Sequence, residues 1–241
     1  MRYGIFSDIH GNLEALTAVL EAYQSERIDT YFCLGDVVGY GANPNECIQC
    51  VDQIVSKCIA GNHDWAVLEK IDITYFNLVA KQAIVWTKRH ISEAGLRFLK
   101  NLTLSFKNND LILVHGTLHN PEEFIYLFDG MQAAQTFTLM DRQVCFLGHT
   151  HVPQIIIQKD QHIFYSPTTD VRLEDDQKYI INVGSVGQPR DGNPGATYCI
   201  YDTELKTVLI KRTPYNIEEA QQKIITAGLH PFLAHRLMIG E

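Results

Sequence analysis

Five short motifs with Asp, His or Asn side chains follow apolar runs of this sequence. They are Asp8-Ile9-His10, Gly35-Asp36, Gly61-Asn62-His63-Asp64, His115-Gly116 and Gly148-His149-Thr150-His151. Aspartate and histidine are rarely buried beside strands without partners. Carboxylate, amide and imidazole donors together suit a hard or borderline cation. The sequence therefore predicts a site for such a cation, formed by oxygen- and nitrogen-donor residues of these motifs at strand ends.

The spacing of the first three motifs indicates how they converge. Asp8, Asp36 and Asn62 lie 28 and 26 residues apart. That is close to the length of one strand-helix-strand unit, about 30 residues. Each residue is therefore predicted at the carboxyl end of a parallel strand, the edge at which open α/β sheets bind ligands.

Two of the motifs contain a pair of donors two positions apart. Asp8 with His10 is one pair, and His149 with His151 is the other. In an extended chain, the side chains of residues i and i+2 point the same way. Each pair is thus expected to reach one metal, or two metals about 3.5–4 Å apart.

The elements around the first motifs alternate in type. Strands are predicted at Tyr3–Phe6, Thr30–Leu34 and Lys57–Ala60, and helices at Leu13–Tyr23 and Asn45–Ile54. In each helix the apolar residues recur at helical spacing, whereas the strands are short apolar runs. This alternation predicts a parallel sheet with right-handed crossovers.

The second half of the chain is richer in strands. Residues 64–100 are predicted to be mostly helical. A hairpin is predicted next, from Leu102–Phe106 and Leu111–Val114. The chain ends in predicted helices from Ile217–Ala227 onward. Further strands are predicted at Val144–Leu147, Gln154–Gln158, His162–Tyr165, Tyr179–Asn182, Thr197–Tyr201 and Thr207–Lys211. We expect an α/β protein with two packed sheets and helices outside. No linker divides residues 1–241, so a single domain is predicted.

Composition and charge disfavour several classes of function. The chain has 241 residues, 46% of them hydrophobic, which is enough for one substantial core. Its net charge of −8 disfavours tight binding to nucleic acid or to an anionic membrane. No apolar stretch approaches the roughly 18 residues of a membrane helix, and the first residues lack a secretory pattern. A cytoplasmic protein is expected.

The six cysteines could serve as metal ligands or remain as thiols. Cys47, Cys50 and Cys58 lie close together in sequence, but no fourth ligand follows at the spacing of a zinc finger. Reduced thiols are therefore the expectation.

In their order, the five motifs resemble the signature of the calcineurin-like metallophosphoesterase superfamily, with the match covering residues 1–152. The segments GDVVGYGANP and GSVGQPRDGNPG are similar to a small bacterial and archaeal branch that includes phosphodiesterases and relatives of diadenosine-tetraphosphate hydrolases. The resemblance implies a four-layer α/β/β/α sandwich with two mixed sheets and a two-metal site at the sheet edge.

The resemblance also implies a role for each donor. The first metal would be bound by Asp8, His10 and His151, and the second by Asn62, His115 and His149. Asp36 would bridge the two metals. Mn²⁺ or Fe is the expected cation, with Zn²⁺, Ni²⁺, Co²⁺ or Mg²⁺ as alternatives.

Such a centre would retain positive charge, because two divalent cations outweigh the carboxylates of Asp8 and Asp36. It would attract a phosphate and stabilise charge on its oxygens. The expected reaction is hydrolysis of a phosphodiester or phosphomonoester of a small, nucleotide-like substrate by a metal-bound hydroxide. The alternative is a catalytically silent scaffold of the same fold, against which the complete ligand set argues. The oligomeric state is left open.

Four residues are candidates for catalysis or substrate contact. The resemblance implies that His63 contacts the phosphate or protonates the leaving group, with Asp64 orienting its ring. Alternatively, His63 only supports Asn62, which is itself a candidate substrate contact. The guanidinium of Arg190, in a Gly- and Pro-rich loop, suits a phosphate, with a surface salt bridge as the alternative.

Residues 117–130 are rich in aromatic side chains, namely Phe124, Tyr126 and Phe128, together with His119. They directly follow the His115 motif and could form a lid that stacks a nucleobase. Aromatic residues at this density are more often core, which is the favoured interpretation.

Overall fold

The computed structural model of the protein describes all residues from 1 to 241. The strands are β1 (Arg2–Phe6), β2 (Thr30–Cys33), β3 (Val55–Cys58), β4 (Ser105–Lys107), β5 (Ile112–Val114), β6 (Val144–Leu147), β7 (Gln154–Lys159), β8 (His162–Tyr165), β9 (Asp170–Arg172), β10 (Gln177–Asn182), β11 (Ala196–Asp202) and β12 (Thr207–Thr213). The helices are α1 (Leu13–Gln24), α2 (Pro44–Ile54), α3 (Asn62–Val67), α4 (Leu78–His90), α5 (Glu93–Lys100), α6 (Gly130–Leu139), α7 (Ile217–Thr226) and α8 (Pro231–Ile239). None of these helices has the length and hydropathy needed to cross a membrane.

The strands form two mixed sheets of six strands each. The first has the order β3-β2-β1-β11-β12-β9, and the second β4-β5-β6-β10-β7-β8. In the first sheet β1, β2 and β3 are parallel and β11 runs antiparallel to β1. In the second sheet β5, β6 and β10 are parallel. The predicted parallel sheet and the two mixed sheets are confirmed.

The main core lies between the two sheets. Ile5 and Phe32 of the first sheet pack in one buried cluster with Phe146 and Ile181 of the second. Helices cover the outer faces. Leu16 of α1 and residues of α2 pack on the first sheet, and α6 packs on the second. The predicted α/β/β/α layering is therefore confirmed.

The first crossover helix, α1, is connected by hydrogen bonds of Asn12 to the loop that follows β10. Asn12 caps α1, because its Oδ1 accepts a hydrogen bond from Ala15 N at 3.1 Å. Its Nδ2 donates to Gly187 O at 2.9 Å. One side chain thus begins the helix and also fixes a loop far along the sequence.

Element boundaries differ from the sequence predictions in several places. Strand β3 spans 55–58 rather than 57–60. The helical stretch 64–100 is broken, because Asn77 caps α4 and Ser92 caps α5. The predicted hairpin forms as antiparallel β4 and β5, although β4 begins only at Ser105. Helix α6, capped by Asp129, was not predicted.

Candidate metal centre

The predicted donors converge at one end of the sandwich, just beyond the carboxyl ends of β1, β2, β3, β5 and β6. All are buried, with at most 9% of any residue exposed. They are Asp8, His10, Asp36, Asn62, His115, His149 and His151. Seven polar side chains therefore share a space from which water is largely excluded.

One group of donors surrounds the carboxylate of Asp8. Its Oδ1 lies 3.2 Å from His151 Nε2 and 3.8 Å from His10 Nε2. The two imidazole nitrogens are 3.1 Å apart. Ligand atoms of these three side chains all lie within 4.8 Å of one another, close enough to surround one cation.

A second group surrounds Asp36, which also borders the first. Asp36 Oδ2 lies 3.4 Å from His115 Nε2 and 3.6 Å from His10 Nε2. Donor atoms of Asp36, His115 and His149 again lie within 4.8 Å of one another. Asp36 thus stands between two groups of donors.

Backbone carbonyls orient three of the imidazoles. The Nδ1 atom of His10 donates to Val38 O at 3.2 Å, that of His115 to Leu34 O at 2.8 Å, and that of His151 to Gln188 O at 2.6 Å. This directs each Nε2 toward the centre, where it can bind a cation once it is deprotonated. Carbonyl partners of this kind are typical of metal-binding histidines.

Several atoms at the centre are buried without a hydrogen-bond partner. They are Asp8 Oδ1, Asn62 Oδ1, His115 Nε2 and His149 Nε2. Leaving a buried polar atom unpaired costs about 1–3 kcal/mol, so proteins seldom retain several together. All four are acceptors of the kind that divalent cations bind, and the donor set fits such cations well.

The charges of the centre are strongly coupled. Burial alone would raise the pKa of Asp36, but the neighbouring His115 and His63 hold it well below its usual range. Burial alone would lower the pKa of His115, but Asp36 beside it raises that pKa to about 10. Burial keeps the pKa of His149 well below its ordinary value. The centre is therefore anionic, and His115 holds a proton at the place where a cation would bind.

The expected extended backbone at the paired donors is wrong. Asp8, His10, His149 and His151 have φ angles of 55°, 52°, 67° and 61°, in the left-handed region. Side chains leaving such turns do not follow the alternation of a strand. The pairs still converge, because backbone bonds such as His10 N to Asp36 O, at 2.9 Å, fix the turns.

Close approach of two loops places Asn62 and His63 beside Asp36. The backbone N–H of His63 donates to Asp36 Oδ1 at 2.8 Å. A Cβ atom on Gly61 would lie 2.1 Å from that same oxygen, so only glycine fits at this position. Asn62 begins α3, with its Oδ1 buried at the centre.

Asp64 does not contact the ring of His63, so the expected orienting contact is wrong. Its carboxylate instead accepts hydrogen bonds from four backbone N–H groups. These belong to Asp36, Val37, Val38 and Gly61, at 2.8, 3.0, 3.3 and 3.0 Å. A buried carboxylate that already accepts four amides has no capacity left for an imidazole. Asp64 holds the loop after β2 against the start of α3.

The ring of His63 lies against the centre without a hydrogen bond. Its centroid is 4.8 Å from that of His10 and 4.5 Å from that of Tyr40, and its Nδ1 has no partner. His63 also forms a possible ligand group with His10 and Asp36, so distance alone does not separate it from the ligands. Burial, opposed by Asp36 and assisted by Arg190, lowers its pKa to about 4.

Arg190 lies beside the centre and forms no salt bridge. Its backbone N donates to His151 O at 3.2 Å, and its Nη2 donates to Gln188 Oε1 at 3.0 Å. Its Cζ is 5.9 Å from the ring of Tyr40, while its Nε is buried without a partner. The alternative of a surface salt bridge is therefore wrong.

Residues 117–130 are divided between core and surface. Phe124 and Leu127 are buried, as the core interpretation predicts. Tyr126 and Phe128 are exposed, at 39% and 66%. The Tyr126 ring stacks on that of His149 at 3.7 Å and on that of Phe128 at 5.1 Å. The exposed pair therefore extends outward from the centre.

A groove of about 890 Å³ opens beside this aromatic pair. Tyr126 and Phe128 line it, and so do Tyr75 and Phe76. Asn62, His63 and His149 form its inner end. The acidic side chains along it are Asp72, Glu122 and Glu123, and no Lys or Arg lines it.

Two residues near the centre were not singled out from the sequence. Tyr40 is 7% exposed, and its ring contacts those of both His10 and His63. Gln188 is 2% exposed and joins His151 to Arg190. Both lie in the two Gly-rich segments already noted, which was the only sequence signal for them.

Comparisons with known proteins agree with this geometry. A family model described as the calcineurin-like phosphoesterase superfamily domain matches residues 1–206. The uncharacterised protein MJ0912 of Methanocaldococcus jannaschii is 40% identical over 240 residues, which cover 98% of this chain and 97% of that protein. A metallophosphoesterase structure from Sphaerobacter thermophilus is 35% identical, with a TM-score of 0.87 and coverage of 100% and 99%. Phosphodiesterase YfcE of Escherichia coli is 26% identical, with coverage of 87% and 91%.

Proposed function

Since this chain belongs to the calcineurin-like phosphoesterase superfamily, we propose that it hydrolyses small phosphate esters at a centre of two divalent cations. It is a metal-dependent phosphoric ester hydrolase. The proposal for two cations depends mainly on Asp36. One carboxylate borders two separate groups of donors, each compact enough to hold one ion.

The proposed ligands divide as those groups do. Asp8, His10 and His151 would hold one cation. His115, His149 and Asn62 would hold the other. Asp36 would contact both. The unpartnered atoms of Asp8, Asn62, His115 and His149 support this division, because each would gain the partner that it otherwise lacks.

When bound, two cations of this kind acidify the attacking water and offset the charge that develops on the phosphate. The residues around them bind and orient the ester. Asn62 and His63 lie at the inner end of the groove and are proposed to contact the phosphate or the leaving oxygen. Arg190 approaches from the side of His151, where its unpartnered Nε is free to donate to a phosphate oxygen.

The groove indicates the class of leaving group. At about 890 Å³ it is much larger than a phosphate, and aromatic side chains line it. Its acidic residues would repel an anionic leaving group, whereas the exposed rings of Tyr126 and Phe128 would stack on a flat one. A nucleoside satisfies both conditions. We therefore propose a small nucleotide ester whose nucleoside occupies the groove.

The test is to measure metal content together with hydrolysis. Protein loaded with Mn²⁺ should contain two equivalents and cleave a nitrophenyl phosphodiester or phosphomonoester. Asp36→Asn removes the charge shared by both cations and should lower both the metal content and kcat sharply. Asp52→Asn, at an exposed position of α2, is the matched control and should change neither.

Two outcomes would contradict the proposal. Two equivalents of metal and normal turnover in Asp36→Asn would show that Asp36 is not the bridge. A fully loaded wild-type protein that cleaves neither ester nor any nucleotide would favour the silent scaffold.

A further inference from the structure

The four histidines of the proposed ligand set are not all oriented in the same way. Backbone carbonyls hold the Nδ1 atoms of His10, His115 and His151. The imidazole of His149 has no such partner, and its Nε2 is buried without a hydrogen bond. Its backbone N–H is fixed to the centre, because it donates to Asp8 Oδ2 at 3.0 Å. The orientation of this fourth ring therefore depends on a contact other than a hydrogen bond.

The ring of Tyr126 lies flat on the imidazole of His149. The two ring centroids are 3.7 Å apart, and the angle between the ring planes is 13°. This separation is van der Waals contact between two ring faces. The imidazole therefore cannot rotate about its Cβ–Cγ bond unless Tyr126 moves away. The stack restricts the same rotation that a carbonyl partner restricts in the other three histidines.

Tyr126 is itself held by its surroundings. The ring of Phe128 stacks on it with a centroid separation of 5.1 Å and an interplanar angle of 10°. A Cβ atom on Gly116 would lie 2.7 Å from Ile125 O, so the chain beside Tyr126 packs directly on the segment that follows β5. The tyrosine ring is therefore fixed on the same element that carries the donors.

The segment around Tyr126 contacts both histidines that are proposed for one cation. Phe124 is buried, and its ring lies edge-on to that of His115, at a centroid separation of 5.9 Å. Tyr126, two residues later, covers His149. These two contacts relate one short segment to one group of donors.

The donors proposed for the other cation are held differently. The ring of His10 is tilted by 50° against that of Tyr40, and the ring of His151 packs on that of His10 at 31°. Their proposed ligand set contains two carboxylates, those of Asp8 and Asp36, whereas the set with His149 shares only the second. Since the attraction for a cation grows with the number of negative charges, the two cations should bind in separate steps.

We propose that Tyr126 is a positioning residue for the cation that His115, His149 and Asn62 would hold, its ring replacing the hydrogen bond that His149 lacks. The inference rests on the proposed function, because it uses the division of the donors between two cations. Removal of a partner that orients a metal ligand typically lowers metal affinity about 10–100-fold. Loss of the Tyr126 ring should therefore weaken one cation by this factor and leave the other unchanged.

The experiment titrates metal-free protein with Mn²⁺ and measures the free ion by its EPR signal. The wild-type protein should bind two equivalents in two steps. Tyr126→Ala should raise the Kd of the weaker step about 10–100-fold and leave the tighter step unchanged. Tyr126→Phe keeps the stacked ring and should retain a Kd within about threefold of the wild-type value. Tyr165→Ala removes a tyrosine of similar exposure, 41% against 39%, outside the groove, and should change neither step.

Several results would overturn the inference. One is a folded Tyr126→Ala variant that binds both cations as the wild-type protein does. Another is equal weakening of both steps, which would indicate a general loss of structure. A Tyr126→Phe variant that behaves like Tyr126→Ala would show that the hydroxyl, and not the ring, is responsible.

The same titrations separate this inference from the proposed reaction. If Tyr126→Ala loses one cation selectively but the fully loaded wild-type protein cleaves no ester, the positioning role stands and the reaction fails. A wild-type protein that binds a single cation would overturn the two-cation centre and the role of Tyr126 together. Hydrolysis by that singly loaded protein would leave only the assignment as a hydrolase.

Discussion

The carboxylate of Asp64 accepts a hydrogen bond from the backbone N–H of Asp36 at 2.8 Å. The same carboxylate also accepts from Val37, Val38 and Gly61. Asp64 is itself fully buried. The main chain of the proposed bridging residue is therefore positioned by a side chain that need not touch a cation.

Replacement of Asp64 by asparagine should test this positioning. An amide has one acceptor oxygen, and its NH₂ group would face backbone N–H groups that also donate. We expect a loss of about 3 kcal/mol, which for a chain of this length lowers Tm by about 10 °C. The metal content of the variant should also fall, because the loop that contains Asp36 loses its hydrogen bonds to the Asp64 carboxylate. Asp52→Asn is the control, and full metal content at an unchanged Tm would contradict the assignment.

The role of His63 can be tested by comparing the hydrolysis of esters with poor and with good leaving groups. A general acid matters most for a poor leaving group, so His63→Ala should slow a nucleoside or alkyl ester by roughly 10²–10⁴-fold. Hydrolysis of a nitrophenyl ester should be slowed much less, because nitrophenolate leaves without being protonated. The variant should keep both cations, and His162→Ala, an exposed residue of β8, serves as the control.

Two other results for His63→Ala would each exclude proton donation. Equal losses on both esters would indicate that His63 contacts the phosphate as a neutral imidazole, since its pKa of about 4 in the free protein leaves the ring unprotonated at neutral pH. Loss of one cation would identify His63 as a ligand, as its distance from Asp36 and His10 allows.

Arg190 should contribute to substrate binding but not to metal binding. Arg190→Ala should raise KM for nucleotide substrates about tenfold or more and leave the metal content intact. Arg190→Lys should recover only part of the loss, because a lysine lacks the planar fork of donors. If KM and kcat of Arg190→Ala match those of the wild-type protein on every substrate, the proposed phosphate contact is wrong.

Metal removal should destabilise the fold in a pH-dependent way. Cations bind the native donors only when these are deprotonated, and the pKa of His115 without a cation is raised to about 10 by Asp36. A cation must therefore displace a proton from His115 at any pH below that value, so metal affinity should fall steadily as the pH drops. At a concentration about 100 times its Kd, each bound cation adds about 2.7 kcal/mol. A chelator at pH 7.5 should therefore lower Tm, and added Mn²⁺ should restore it. The chelator should have a smaller effect at pH 5, and an equal effect at both values would argue against histidine ligands.

The sequence by itself determined the type and order of the donors. Asp8, Asp36 and Asn62 recur at the spacing of strand-helix-strand units, and this local periodicity was enough to place them at the ends of β1, β2 and β3. The alternation of short apolar runs with amphipathic stretches likewise predicted the parallel strands of the first sheet, and the succession of short strands in the second half of the chain predicted two packed sheets. These features depend on neighbouring residues, so a single sequence records them directly.

Only the tertiary structure decided how the side chains meet. The left-handed turns at Asp8 and His10 are set by contacts with the Asp36 loop, and the partners of Asp64 are backbone amides 26–28 residues away. The end of α8 packs on the loop after β10, where Gly192 N donates to Gly240 O at 2.9 Å. Backbone amides are identical in every residue except proline, and long-range packing leaves no periodic signal. The sequence therefore contains the residues that make these contacts, but it does not show which groups they contact.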